Sequence, residues 1–123
     1  MFRLGVTAYT EAIKTGVLSV DREVFSGPGV YSEACALAMA RGVWRLSGSD
    51  YAVGVTGIAG PGGATEKDPV GTVYIAVVGP EKETVCRLVL GHGSAERGFV
   101  RRLASSNALA MVLKDADLFR ISR

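Results

Sequence analysis

The glycine-rich run from Thr56 to Gly63 is the part of the sequence best suited to ligand contact. Four of its eight residues are glycine, and it follows an alternating segment that predicts a strand. Glycines at such a junction allow backbone N–H groups to approach a ligand closely. Neither phosphate-loop template fits, because there is no Gly-Lys-Ser/Thr ending and no Gly-x-Gly-x-x-Gly run. The pattern leaves two interpretations open, a ligand-binding loop and a plain tight turn.

Arg97 and Arg101 form a second candidate site. They are four residues apart in a predicted helix and therefore share one face of its first turns. Two guanidinium groups beside the free N–H groups of a helix start could bind a phosphate. The alternative is a surface pair with Glu96 or another nearby carboxylate, and on the pattern alone this is the better interpretation.

The cysteines and the histidine show no metal or triad pattern. Cys35 and Cys86 have no neighbouring Cys or His at metal-ligand spacing, which predicts small buried thiols in a reducing compartment. His92 is the only histidine, and no carboxylate or Cys is spaced to join it, so we expect it to be solvated. We therefore expect neither a metal nor a cofactor.

Helices and strands alternate in the elements that would position these residues. The predicted helices run from Glu11 to Lys14, from Arg22 to Phe25 after an Asp21 N-cap, from Ser32 to about Leu46, and from about Ala95 to Leu113. The predicted strands run from Val6 to Tyr9, Tyr51 to Val55, Thr72 to Val78 and Thr84 to Leu90, the last two as a hairpin. The tail from Asp115 to Arg123 has no clear pattern. This order predicts a layered α/β/α sandwich with a mixed sheet.

The composition bounds the class of protein. A length of 123 residues suits one domain, and a 48% hydrophobic and 21% charged composition is ordinary for a globular protein. A net charge of +2 is too small to argue for a nucleic-acid partner. No stretch approaches the ~20 apolar residues of a membrane span, and the first residues lack a signal-peptide pattern. We expect a cytoplasmic protein with no membrane partner.

Two long runs resemble the signature of the CinA C-terminal family. Residues 50–63 are similar to Ala-Asp-x-(small)-Ser/Thr-Gly-Ile-Ala-Gly-Pro-x-Gly, and residues 67–74 to Lys-Pro-Val-Gly-Thr-Val-(aromatic). Three shorter runs extend the resemblance over nearly the whole chain. Residues 8–14 resemble Ala-Tyr-Ser-Asn-Glu-Ala-Lys, residues 29–33 resemble Gly-Ala-Val-Ser-Glu, and residues 96–102 resemble Asp-Arg-x-x-Val-Arg-Arg.

The resemblance implies an amidase of the Ser-Lys type. Family members of this type hydrolyse the amide of nicotinamide mononucleotide to nicotinic acid mononucleotide and ammonia. Lys14 matches the position of the lysine base, which would otherwise be interpreted as a solvated surface lysine. Arg97 matches a functional arginine. We expect substrate binding by Tyr9, Thr56, Gly57 and Gly60 in the matched motifs, and by Arg101 from the helix face that it shares with Arg97.

One family motif has no counterpart in this chain. The family's serine lies in a Glu-Ser-x-Thr-Gly-Gly run after an early strand, and no Ser-x-Thr-Gly-Gly occurs in the 123 residues. We therefore expect residues 1–123 to form a single domain that lacks the family's first strand–helix segment. Two explanations stay open, a longer gene product or a shortened relative that binds a nucleotide or assembles without hydrolysis.

The same departure bears on assembly. Surfaces that the missing strand and helix would cover are usually buried in a partner. We expect a homo-oligomer, with the Ala-rich helix from Glu33 to Leu46 as one candidate surface.

Overall fold

Four helices and three strands build the chain in the computed structural model, which describes residues 1–91 and 96–122, with side chains as far as residue 117. The helices are α1 (Glu11–Leu18), α2 (Arg22–Ser26), α3 (Glu33–Ser47) and α4 (Arg97–Ser122). The strands are β1 (Ala52–Gly57), β2 (Thr72–Val78) and β3 (Glu83–Val89). The predicted β2 agrees with the observed strand at both ends, and the predicted caps Asp21 and Ser32 both accept a backbone N–H of their helices.

The three strands form one antiparallel sheet in the order β1-β2-β3. All seven residues of β2 are buried, because this strand is central and helices cover both of its faces. Its side chains alternate between two clusters. Tyr74, Ala76 and Val78 pack with Ala36 and Ala40 of α3, whereas Val73 and Ile75 pack with α4.

Small residues allow α3 to lie close to the sheet. A Cβ at Gly54 of β1 would lie 2.8 Å from the backbone nitrogen of Ala40, closer than ordinary van der Waals contact. On the opposite face, Val100, Ala104 and Ala108 of α4 complete the second cluster. Helix, sheet and helix therefore form the predicted α/β/α sandwich.

The helix α1 packs on the outer side of α3. Leu18 and Val20 form a third buried cluster with Cys35 and Met39, and Val6 and Ala8 lie against it. This packing fixes the orientation of α1, and with it the position of Lys14.

The first helix ends at Leu18, one turn beyond the predicted Lys14, and β1 ends at Gly57 instead of Val55. Other details also differ from the sequence-based expectations. Residues 6–9 are not a strand, because Val6 and Ala8 pack on the α1–α3 cluster and do not pair with the sheet. All strand pairs among the described residues are therefore antiparallel, so the expected mixed pairing is absent from them. The last helix continues to Ser122, since no Gly or Pro follows Leu113 and Asp115 anchors the helix to Thr84 of β3 and to Lys82 just before that strand.

Candidate functional site

A cavity of about 440 Å³ lies where residues 8–14, the loop before α3, the glycine loop and the first residue of α4 meet. Six of the seven predicted site residues line it: Tyr9, Lys14, Thr56, Gly57, Gly60 and Arg97. A larger depression of about 600 Å³ between α1 and α2 contains none of them. The smaller cavity is the candidate site because chemically distinct side chains from four distant parts of the sequence converge on it.

Lys14 is the buried cation of the cavity. Its residue exposure is 5%, although lysine is rarely buried without a partner. The start of α1 fixes its place, because the hydroxyl of the N-cap Thr10 accepts the N–H of Ile13 and the Thr10 carbonyl accepts that of Lys14. Within the described residues, no hydrogen bond or ion pair engages the Lys14 ammonium, which leaves it available to a molecule in the cavity.

Cys35 lies close enough to Lys14 for their charges to interact. Burial raises the pKa of the Cys35 thiol, and the positive charge of Lys14 opposes that rise. The thiol is fully buried, and its sulfur lies 3.8 Å from the sulfur of Met39, which lines the cavity. Cys35 is therefore a packing residue behind the cavity wall, as the sequence predicted for a buried thiol.

Arg97 connects α4 to the glycine loop. Its Nη1 donates a hydrogen bond to the Gly60 carbonyl over 3.2 Å. Gly60 has a φ of +84°, a conformation that disfavours other residues, and a Cβ there would lie 2.7 Å from Val70. One N–H group of the guanidinium thus positions the arginine. Among the described residues it makes no other hydrogen bond, so its remaining donors can bind an anion.

Thr56 has a different role from a simple ligand contact. Its hydroxyl donates a 2.9 Å hydrogen bond to the carbonyl of Val30, and the residue is buried. Because its proton is engaged there, the hydroxyl can only accept a hydrogen bond from a ligand. Thr56 therefore joins the end of β1 to the loop that precedes α3.

Arg101 lies outside the cavity. It is exposed and lines a shallow depression on α4 with Gly98, Arg102 and Ser105. The shared helix face predicted for the two arginines does not bring both to the same site, because only the first residue of α4 reaches the glycine loop. The geometry gives no support to Arg101 as a substrate contact.

The model of the CinA C-terminal domain matches residues 1–116 of this chain. The chain belongs to the CinA C-terminal domain family. Among curated proteins, it is 46% identical over 110 residues to a CinA-like protein of Anaeromyxobacter dehalogenans, covering 89% of this chain and 26% of that protein. It is 44% identical over 111 residues to a CinA-like protein of Thermosynechococcus vestitus, covering 90% of this chain and 27% of that protein. The chain thus spans about a quarter of the length of these relatives.

Solved structures agree with this membership. Competence damage-inducible protein A of Klebsiella pneumoniae superposes with a TM-score of 0.81 at 29% identity, covering 89% of this chain and 66% of that one. The competence/damage inducible protein CihA of Agrobacterium tumefaciens gives 0.77 at 35% identity, covering 86% of this chain and 64% of that one. The α/β fold of this CinA domain is thus shared with structures of the same family.

A polar cluster that the sequence did not reveal fixes the segment between the glycine loop and β2 in this CinA domain. The Tyr74 hydroxyl donates to Asp68 Oδ1 over 2.8 Å, and Arg87 Nη2 donates to the same oxygen over 3.1 Å. Arg87 also donates to the Lys67 carbonyl over 3.0 Å. Asp68 has no counterpart in the Lys-Pro-Val run that this segment resembles, so the motif gave no signal for the cluster.

Tyr31 is the second residue of the site that sequence analysis missed. It lines the cavity, and 38% of its surface is exposed. The motif that residues 29–33 of this CinA domain resemble has valine at this place, so the pattern did not predict an aromatic wall there.

Other expectations concern residues away from the cavity. His92 lies outside the described residues, as do Ser94 and Ala95 at the predicted start of the last helix. In the part of the CinA domain that the structure describes, no helix has the length and apolar character needed to cross a membrane. The same residues bring together no group of three His, Cys, Asp or Glu side chains suited to a metal ion.

Proposed function

We propose that this chain carries the lysine-and-arginine part of a nicotinamide mononucleotide amidase site. The observation that carries the proposal is the convergence of Lys14, Arg97 and the glycine loop on one cavity. A largely buried lysine with no counter-charge among the described residues is the setting that a lysine base requires. An arginine that one hydrogen bond holds, and whose other N–H groups have no partner among the described residues, is suited to the phosphate of a mononucleotide.

In this proposal the chain's residues bind the nucleotide and transfer protons. Lys14, acting as the base, takes the proton of an attacking hydroxyl, which adds to the amide carbon of the substrate. Lys14 then returns the proton to the amide nitrogen, so that ammonia leaves and water later hydrolyses the acyl intermediate. The products, nicotinic acid mononucleotide and ammonia, belong to pyridine nucleotide recycling.

The second candidate function is a nucleotide-binding or assembly module without hydrolysis. The observation that favours it is the absence of a Ser-x-Thr-Gly-Gly run from the 123 residues. Because the hydroxyl nucleophile has no assigned residue, we expect no ammonia release by this chain alone. Both candidates share the same cavity and the same ligand, and they differ only in turnover.

Calorimetry with nicotinamide mononucleotide tests the shared part of the proposal. We expect Arg97→Ala to weaken binding by at least about tenfold, because it removes a charge-assisted contact. Arg101→Ala is the matched control, since it removes the same charge four residues further along α4, outside the cavity. If both variants lose affinity equally, the loss comes from the change in net charge, and the anion site at Arg97 is contradicted.

An ammonia-release assay separates the two functions. No release by the wild-type chain favours the binding module. Release that disappears in Lys14→Ala favours an amidase that uses another hydroxyl. Release that persists in Lys14→Ala contradicts Lys14 as the base.

We also propose that the chain works in the cytoplasm. Two free cysteines support this location, since both are without a disulfide partner and secreted domains of this size usually contain disulfides.

A further inference from the structure

The loop that precedes α3 presents an aromatic ring to the cavity on a firmly held backbone. The carbonyl of Val30 accepts the Thr56 hydroxyl over 2.9 Å, one residue before Tyr31. One residue after it, the Ser32 hydroxyl donates to the Gly29 carbonyl over 2.7 Å and accepts the Cys35 N–H over 3.0 Å. The backbone of Tyr31 is therefore fixed on both sides.

Packing within the chain leaves part of the Tyr31 side chain uncovered. It retains 38% exposure and lines the same cavity as Lys14 and Arg97. Tyrosine offers a large flat surface with only two side-chain torsions to restrict, so covering it with a ligand costs little conformational entropy. A fixed, partly open aromatic ring beside two cationic residues suits a ligand that has both an anionic group and a flat ring.

The charge of the ligand's ring decides which flat ring fits best. The face of an aromatic ring attracts a cation, because the ring's quadrupole places negative charge on its faces. The pyridinium of nicotinamide mononucleotide is flat and positively charged, whereas Lys14 and Arg97 would repel a cation that approached them directly. A pyridinium is therefore best accommodated against a tyrosine face, with its phosphate towards a guanidinium.

We infer that Tyr31 is a specificity-determining residue, the stacking wall for the positively charged pyridinium ring of the ligand. This inference rests on the proposed function, and it adds the residue that distinguishes a charged aromatic base from other nucleotide bases. Valine, which stands at this place in the Gly-Ala-Val-Ser-Glu motif, would fill the wall without offering a π face.

The test compares three ligands by calorimetry on the full chain: nicotinamide mononucleotide, its dihydropyridine form with an uncharged ring, and ribose 5-phosphate without a ring. We expect Tyr31→Val to weaken binding of the mononucleotide by about tenfold, the usual scale of one base–aromatic stack. Tyr31→Phe keeps the ring face and should bind within about twofold of wild type. Ribose 5-phosphate should bind equally to all three chains, which also shows that the valine variant is folded.

The charge of the ring gives a readout that a purely structural role would not change. The wild-type chain should prefer the pyridinium over the dihydropyridine, and this preference should shrink in Tyr31→Val. Trp44→Leu is the matched control, because Trp44 has the same 38% exposure on α3 and does not line the cavity. It should leave the affinities for all three ligands unchanged.

The outcomes separate this inference from the proposed function. If Arg97→Ala weakens the mononucleotide and Tyr31→Val does not, the inference fails and the anion site stands. If Tyr31→Val weakens ribose 5-phosphate as strongly as the mononucleotide, Tyr31 supports the loop and does not stack. If the wild-type chain binds none of the three ligands, both the proposed function and the inference fail.

Discussion

A lysine buried without a partner is unfavourable for folding, and Lys14 is such a residue. Its residue exposure is 5%, and within the described residues no carboxylate pairs with its ammonium. Lys82 is the contrasting case. Its ammonium lies 3.2 Å from the carboxylate of the buried Asp115, and its side chain is 46% exposed. A lysine that serves a reaction at this position lowers the stability of the fold, and such a loss of stability is common at functional sites.

We expect Lys14→Met to increase the free energy of unfolding by up to about 1 kcal/mol, because methionine keeps the buried apolar stem and removes an amine that has no partner among the described residues. Lys82→Met should lower it by about 1 kcal/mol, since it leaves the Asp115 carboxylate without its counter-ion. Urea denaturation followed by circular dichroism measures both changes. A less stable Lys14→Met variant would mean that Lys14 supports the fold, and it would contradict an energetic cost of burying this lysine.

At the scale of elements, the contact between α3 and the sheet depends on one glycine. A Cβ at Gly54 would lie 2.8 Å from the Ala40 nitrogen and 3.2 Å from the Ala36 carbonyl carbon. Both neighbours are backbone atoms, so relief requires the whole helix to move away from β1. Since α3 begins at the Ser32 cap, such a movement would also disturb the loop that holds Tyr31.

We expect Gly54→Ala to destabilise the domain by about 1–3 kcal/mol, the usual cost of overpacking a core. Gly16→Ala is the control, because Gly16 lies inside α1 and a Cβ there meets nothing within 4 Å. That change should stabilise the domain by about 0.5–1 kcal/mol through helix propensity. Thermal unfolding of the two variants distinguishes them by sign. Equal tolerance of both substitutions would contradict the close approach of α3 to β1.

Local signals decide which elements a sequence can predict. The strand β2 was predicted correctly at both ends because a β-branched run is bounded by Gly71 and Gly79. Residues 6–9 also have a sequence that predicts the end of a strand, and only their packing against α1 and α3 shows that they are not one. The end of α4 could not be predicted, because the sequence after Leu113 has no breaker and Asp115 is anchored by residues of another element.

At the scale of the whole molecule, local sequence also predicted one part of the candidate site, and tertiary packing determines the rest. Motif spacing predicted the residues that converge on the cavity, including Lys14 and Arg97. It could not predict that Arg101 lies elsewhere, because that depends on which turn of α4 reaches the glycine loop. It also missed Tyr31 and Asp68. Both residues differ from the family motif at their positions, and the sequence alone does not show what such a difference does in the folded structure.

The assembly of the whole molecule is the last prediction, and the structure changes its candidate surface. Ala36 and Ala40 of α3 are fully buried against the sheet, which leaves the opposite side of this helix and a patch on α4 as candidate surfaces. Leu109 and Leu113 of α4 are instead 70% and 64% exposed, and their spacing of four residues places them on one face of the helix. Two such leucines side by side form an exposed apolar patch, and covering it with a partner would be favourable.

We therefore expect the chain to self-associate through the outer face of α4, because a second copy would remove both leucines from water. Sedimentation equilibrium at micromolar concentration should give a mass above that of one chain. The double change Leu109→Glu and Leu113→Glu should shift the mass towards the monomer, because it would bury like charges in the interface. Leu46→Glu, at a leucine that is 56% exposed on α3, is the control and should leave the mass unchanged. A wild-type chain that sediments as a monomer would rule out self-association, and equal effects of both changes would move the interface away from α4.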